Sequence, residues 1–501
     1  MRVWIASARR VLPSNETTGE TENFLRLCGM TMRRSIAVGL TLLVLCCAEV
    51  RAQMVMSAQT LIEAEQQHGS SGTSIEPAST PVPMLMSAHG AWQLMLHANA
   101  FAANTQQQAE GERGRDAFFS TNWIMPMAQR KLGPGLLTVR AMFSLEPATV
   151  GGRNYPELFQ QGETAYGAPI VDGQHPHDFF MEVAALYDLP LSRNTLLSFY
   201  AAPVGDPAIG PTAYPHRQSA SEDPVAALGH HQEDSTHIAF NVVTGGLTYR
   251  WVRVELSGFH GGEPDEHRWA FEPSPNGHDI DSVSTRLTVS PTRDISGQYS
   301  IAHIHSPEAL YPGEDQQRQT ASVMYHHTFR AKAMPAMKSD MSGMDMSDMA
   351  GMDMGSAASK PAPVKAVPAM NMAAEPTTNL ATTFLWGRTR SLADNSKENS
   401  YLAEALLRFA SSNYVWTRIE NAGRSNELLL TSGNPLPVGF VEEPIGHVAA
   451  YTLGYDHDIR LGRVVAAPGA QVTVYRSPEA LRSIYGATPT GEVFFVRLRL
   501  H

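Results

Sequence analysis

The stretch Val493-Phe494-Phe495-Val496-Arg497-Leu498-Arg499-Leu500-His501 alternates with a period of two. On an extended strand Phe494, Val496, Leu498 and Leu500 share one face, and Phe495, Arg497 and Arg499 share the other. The same pattern recurs upstream. Over 136–145, Leu137, Val139, Ala141 and Phe143 oppose Thr138, Arg140 and Ser144. Over 252–257, Val252, Val254 and Leu256 oppose Arg253, Glu255 and Ser257, and over 283–290 Val283, Thr285, Leu287 and Val289 oppose Ser284, Arg286 and Thr288. A strand with lipid on one side and water on the other needs this dyad. A soluble sandwich strand shows it too, so the connections must decide.

About 16 such segments, within a range of roughly 14 to 18, fit between residue 90 and residue 501. Every second connection is short, at 131–134, 188–193, 249–250, 291–293, 412 and 461–462, and those between are long and polar. Long outer loops alternating with short periplasmic turns are the mark of an all-β, transmembrane, antiparallel up-and-down barrel. No apolar run beyond the N-terminus reaches the roughly 18 residues that a membrane-spanning helix requires.

Residues 30–52 read as a secretory signal. Met30 or Met32 starts it, Arg33 and Arg34 form its basic end, 35–47 is apolar, and Val50-Arg51-Ala52 precedes Gln53. Residues 1–29 read as an over-extended start. Cys28, Cys46 and Cys47 all fall before the cleavage point, so the mature chain is expected to hold its shape without disulfides, through a closed strand ladder. Residues 53–89 are rich in Ser, Gln, Pro and Gly. They are expected to form a disordered, Met- and His-containing periplasmic tail ahead of the barrel at 90–501. The net charge of −11 argues against nucleic acid and suits cations.

One connection breaks the rhythm. A periplasmic turn is expected near 331–377, yet that insertion is long, and 334–372 holds ten of the 23 methionines. Two octads repeat, Met341-Ser-Gly-Met344-Asp-Met346-Ser-Asp348 and Met349-Ala-Gly-Met352-Asp-Met354-Gly-Ser356. Among Gly, Ser and Asp these side chains have no core to enter, so the insertion is expected to be disordered. Thioether sulfur is a soft neutral ligand that selects Cu(I) or Ag(I) over Zn(II). Met341, Met344, Met346, Met349, Met352 and Met354 are therefore the candidate Cu(I) ligands.

Thirteen of the 19 histidines lie from His175 to His327, mostly on expected outer loops. His175-Pro-His177 is expected to turn both rings to one side, suiting a shared metal. His230, His231 and His237, with Glu233 and Asp234 between them, form the other main candidate. Imidazole takes Cu(II) or Zn(II). His326-His327 straddles both faces of a strand and is not expected to be one site. The inner face carries Arg140, Glu182, Arg253, Glu255, Arg286, Glu404, Arg408, Arg497 and Arg499, expected as a wet, mutually paired lining. No G-x-S-x-G, H-E-x-x-H or P-loop motif points to catalysis.

The repeated Met-x-Gly-Met-Asp-Met units, with the signal and barrel pattern, resemble the outer-membrane copper-resistance protein B family. That resemblance implies copper or silver as the ligand and periplasmic copper proteins as partners, at the bacterial outer membrane. Two alternatives stand beside it. One is a porin of other specificity in which the Met-rich linker is incidental. The other is an outer-membrane hydrolase using His and Asp on its loops.

Overall fold

A computed structural model of the protein describes residues 52–56, 58–150, 154–234, 239–264, 266–271, 279–329 and 378–500. Sixteen antiparallel strands close a barrel. They are β1 Trp92–Gln108, β2 Asn122–Leu132, β3 Gly135–Phe143, β4 Phe180–Ser192, β5 Thr195–Gly205 and β6 Ala239–Tyr249. Next come β7 Val252–His260, β8 Ser282–Thr292, β9 Ile295–Ile304, β10 Gln316–Phe329 and β11 Thr378–Ser391. The last are β12 Lys397–Phe409, β13 Asn413–Ser425, β14 Pro444–His457, β15 Val464–Arg476 and β16 Thr490–Leu500. Each strand pairs with its successor, and β16 returns to β1 through a register running from Thr490↔Gln108 to Arg499↔Asn99. Closure leaves no edge, so the strands' backbone groups are satisfied without water. The tight β2–β3 turn relies on Gly133, which sits at φ +58°.

The alternation read from the sequence is realised strand by strand. On β7, Val254 and Leu256 face out at 52% and 61% exposure, while Arg253, Glu255 and Ser257 are buried within. On β16, Phe494, Val496 and Leu498 face out and Phe495 and Arg497 face in. Such residues recur around the barrel as an apolar belt that water would disfavour and acyl chains accept. No helix among the described residues is long and apolar enough to cross a membrane; the strands cross it. This is an outer-membrane barrel.

The lumen is not the wet channel that the sequence suggests, and residues 58–81 are not a disordered tail. They enter the barrel. α1, Leu61–Gln67, is capped by the Thr60 side chain, which accepts from Glu63 N–H, and ends at His68 in a left-handed conformation. Arg140 then donates to the carbonyls of His68 (3.1 Å), Ser70 (2.5 Å) and Gly72 (2.6 Å). Glu182 accepts from Gly72 N–H at 2.9 Å. Farther along, Arg253 donates to the Thr73 carbonyl, Ser296 to that of Ile75, and Ser79 to that of His326. The segment lacks apolar residues for a core of its own. Its backbone instead takes hydrogen bonds from the charged inner wall, which composition alone does not reveal. At its end Val82–His89 turns back at Gly90 and pairs with the start of β1.

The connection after β5 also folds inward. Arg217 reaches Glu404 on β12 at 2.9 Å, Asp223 meets Arg418 on β13 at 3.1 Å, and Glu222 pairs with Arg497 on β16. Of the inner-face charges, Arg140 pairs with Glu182, and Arg253 and Arg286 pair with Glu255, as expected, whereas Glu404 and Arg497 find partners on the inward-folded connection and Arg408 donates to the Ser411 carbonyl. A cavity of 760 Å³ remains beside the N-terminal segment, bordered by His97, Trp123, His216, Tyr414 and Arg499.

Candidate metal centre

Two connections build a buried cluster of imidazoles and carboxylates. Between β3 and β4, Glu146 opens a helical turn, Glu163 lies on the short strand Glu163–Ala165, and His175 and His177 follow the pair Gly173–Gln174. From the connection after β5 comes the single helical turn His230–Glu233. The turn is pinned from below, where Ser400 on β12 donates to Glu233 at 2.6 Å and Leu228 N–H donates to Glu420 on β13 at 2.5 Å.

Glu163 is the focus. His231 Nε2 lies 2.9 Å from its Oε1, His175 Nε2 lies 3.5 Å from the same atom, and His175 N–H donates to Oε2 at 2.7 Å. The His230 ring meets that of His231 edge-on at 4.2 Å, and its Nδ1 lies 2.8 Å from the Ala227 carbonyl. The Gln160 side-chain nitrogen lies 3.0 Å from the same Nδ1. Ligand atoms of Glu163, His230 and His231 all lie within 4.8 Å of one another. This is the one such convergence of His, Cys, Asp or Glu among the described residues.

Burial sets the protonation. It pushes the Glu163 carboxyl up to about 8 and holds the His231 imidazole down at about 3. Burial also holds His175 and His230 well below the usual range. Near neutrality the cluster therefore presents neutral imidazoles, the form that ligates metals. At His177 burial opposes the charged form, but Glu146 beside it wins and the pKa is raised.

His175 and His177 do not share a site as expected. His177 Nδ1 turns to Glu146 at 2.9 Å, whereas His175 faces Glu163. The segment is not an extended strand at these residues, so the two-residue alternation does not apply. Nor do these histidines decorate an exposed rim, since the loops that carry them fold into the barrel mouth and bury them. His237 and Met341, Met344, Met346, Met349, Met352 and Met354 lie outside the described residues. Glu163 escaped the sequence reading; it sits 12 residues from the nearest of these histidines, with no motif around it. His326 points in to Ser79 and His327 out to Asp294, as their adjacent positions imply. At the end of β9, His303 and the residue just beyond the strand, His305, both close on Asp315, at 3.2 and 2.7 Å.

The chain matches no protein-family model and no curated protein. Neither comparison gives evidence for the copper-resistance protein B family. Solved structures with a similar course include the anion-selective porin of Comamonas acidovorans, at 10% identity and a TM-score of 0.42, covering 81% of this chain and 99% of that one. OmpF of Salmonella typhi, solved with daunomycin, shows 8% identity and a TM-score of 0.42, over 83% and 99% of the two chains. The outer membrane channel DcaP of Acinetobacter baumannii shows 7% identity and a TM-score of 0.39, over 82% and 99%.

Proposed function

We propose that this outer-membrane barrel handles copper or silver. The Met-rich segment would take Cu(I) or Ag(I) on the periplasmic side, and the histidines at the barrel mouth would take Cu(II) or Zn(II). The observation that carries the proposal is the convergence of Glu163, His230 and His231, three ligand atoms within 4.8 Å with both imidazoles held neutral. A borderline divalent ion suits two imidazoles and a carboxylate. The alternative of a porin of other specificity with an incidental Met-rich linker shares the channel-like barrel, and metal binding by the purified barrel separates the two readings. The hydrolase alternative predicts hydrolytic turnover by the purified barrel that depends on the Glu146–His177 pair.

Equilibrium dialysis of the purified barrel with Cu(II) and Zn(II) tests the proposal at this site. The double variant His230→Ala, His231→Ala should lose one tightly bound ion while keeping the heat-dependent gel mobility of a folded barrel. Equal binding by the variant and the parent would remove the site from the account.

A further inference from the structure

The densest methionine cluster in the described chain is inside the barrel. Seven buried methionines form one group with Val204 and Phe240, against which Trp123 packs. They come from positions that alternate along strands and so share a face. On β2, Met125-Pro-Met127 points both sulfurs inward; across the ladder Met127 opposes Met95 and Met125 opposes His97. Met86, on the returning N-terminal strand, opposes Met95 from the other side. Met142 follows on β3, two residues beyond Arg140, which pairs with Met127.

The connection after β5 brings His216 down onto this wall. Its Nε2 lies 3.3 Å from Met142 Sδ. Its ring lies 5.6 Å from that of His97, and Trp123 lies against both rings, 4.4 Å from His216 and 4.7 Å from His97. His97 Nε2 and His216 Nδ1 are buried and have no hydrogen-bond partner. Burial holds the His216 imidazole well below the usual range, and neighbouring His97 and Arg140 add to this. The donors here are neutral nitrogen and thioether sulfur, and the neighbouring charges are those of the Arg140–Glu182 ion pair.

Methionine alone fills irregular gaps in cores, and that would account for the sulfurs. It does not account for His97, whose buried Nε2 has no partner beside a His216 ring that sets its Nε2 against sulfur. An ion held between Met142 Sδ and His216 Nε2, with the ring proton on His216 Nδ1, would also give the His97 Nε2 lone pair a partner. The 3.3 Å between nitrogen and sulfur is close to the roughly 3.5 Å expected for two ligands of one tetrahedral ion with metal–sulfur and metal–nitrogen bonds of about 2.3 and 2.0 Å. A site of thioether and imidazole, beside a Glu182 carboxylate already taken up by Arg140, selects a soft monovalent ion over Zn(II), Mg(II) or Ca(II). Access is available, because His97, Trp123 and His216 border the 760 Å³ cavity.

We propose that His97, His216 and Met142, backed by Met125, form an interior site for Cu(I) or Ag(I). The site deepens the copper or silver reading but rests on different residues from the Glu163 cluster and the Met-rich segment. The test uses the full chain with all ten methionines of 334–372 changed to Leu, so that segment is silent. That protein, anaerobic in detergent, should retain one Cu(I) against a chelating competitor, and X-ray absorption should show mixed nitrogen and sulfur ligation. Adding His216→Ala or Met142→Leu should weaken retention at least tenfold, with the gel mobility of the folded barrel unchanged. Retention unaffected by either change, or ligation without sulfur, overturns the interior site. Failure to retain Cu(I), with Cu(II) still bound at Glu163, His230 and His231, overturns the interior site and leaves the wider reading standing. If no metal binds anywhere on the chain, both fall.

Discussion

Arg140 and Glu182 meet at 2.7 Å on adjacent strands inside the barrel, both fully buried, and the pair grips the N-terminal segment from two sides. Arg140 takes three of its carbonyls and Glu182 one of its N–H groups. The remaining Glu182 contact comes from Tyr200, whose hydroxyl donates at 2.8 Å. A charge pair that is both desolvated and fully hydrogen-bonded is costly to break from one side.

Arg140→Ala should therefore release residues 58–81 from the lumen. It strands the Glu182 carboxylate and removes three hydrogen bonds, a loss of about 3–5 kcal/mol. Two readouts check this. The gel-shift temperature should fall, and single-channel conductance in a planar bilayer should rise. Deletion of 58–81 should raise conductance too, without the drop in barrel stability that an unpaired Glu182 causes. Equal conductance in all three proteins would mean that the segment does not occlude the barrel.

Glu404 plays the equivalent part for the inward-folded connection after β5, accepting from Arg217 at 2.9 Å and from Arg418 at 3.0 Å. Glu404→Ala should leave two buried guanidiniums short of a partner and free residues 206–234. The expected result is new protease cleavage in that stretch, with the strands still protected. A cleavage pattern identical to the parent's would show that Asp223, Asp234 and Glu222 suffice to hold it.

Metal affinity at the mouth should follow Glu163 rather than histidine. Its folded pKa, raised to about 8 by burial, means that a cation must displace a proton near neutrality. Cu(II) or Zn(II) affinity should climb about tenfold per pH unit up to about pH 8 and then level. His231, held at about 3, is already neutral and contributes no inflection near the usual histidine value of about 6.5. For the metal-free protein the sign runs the other way. Raised from an unfolded value of 4.5, Glu163 opposes folding progressively as pH climbs from there toward about 8. Glu163→Gln should flatten both profiles; a midpoint near 6.5 would point to an ordinary histidine instead.

The barrel was legible because its physics is local. Phe494, Val496 and Leu498 on one face and Arg497 on the other follow from a period of two that any strand between lipid and a polar interior must have. The filled lumen was not legible. Residues 58–81 look coreless because the groups that order them, Arg140, Glu182, Arg253 and Arg286, lie far along the chain on four other strands. Glu163 was invisible for the same reason, being brought to His230 and His231 only by two loops meeting. The interior methionines had a signal that went unread. Met95-Leu-His97 and Met125-Pro-Met127 alternate with the strand period and so share the inner face, a sparser pattern than the repeat at 341–356.

A synthetic peptide covering 334–372 should bind Cu(I) or Ag(I) and ignore Zn(II), since six thioethers close together raise the local ligand concentration. Leucine at the six positions from Met341 to Met354 should abolish binding. Zn(II) binding as strong as Cu(I) binding would assign the affinity to the aspartates instead.

The most direct measurement is the copper and silver tolerance of cells that lack this chain, restored by the parent protein, by the six-leucine variant or by the His230→Ala, His231→Ala variant. A metal-handling barrel predicts sensitivity on deletion, full rescue by the parent and weaker rescue by either variant, with all three proteins present in the outer membrane at equal levels. Unchanged tolerance in the deletion strain, or equal rescue by every form, would contradict it and leave the fold as a channel of other purpose.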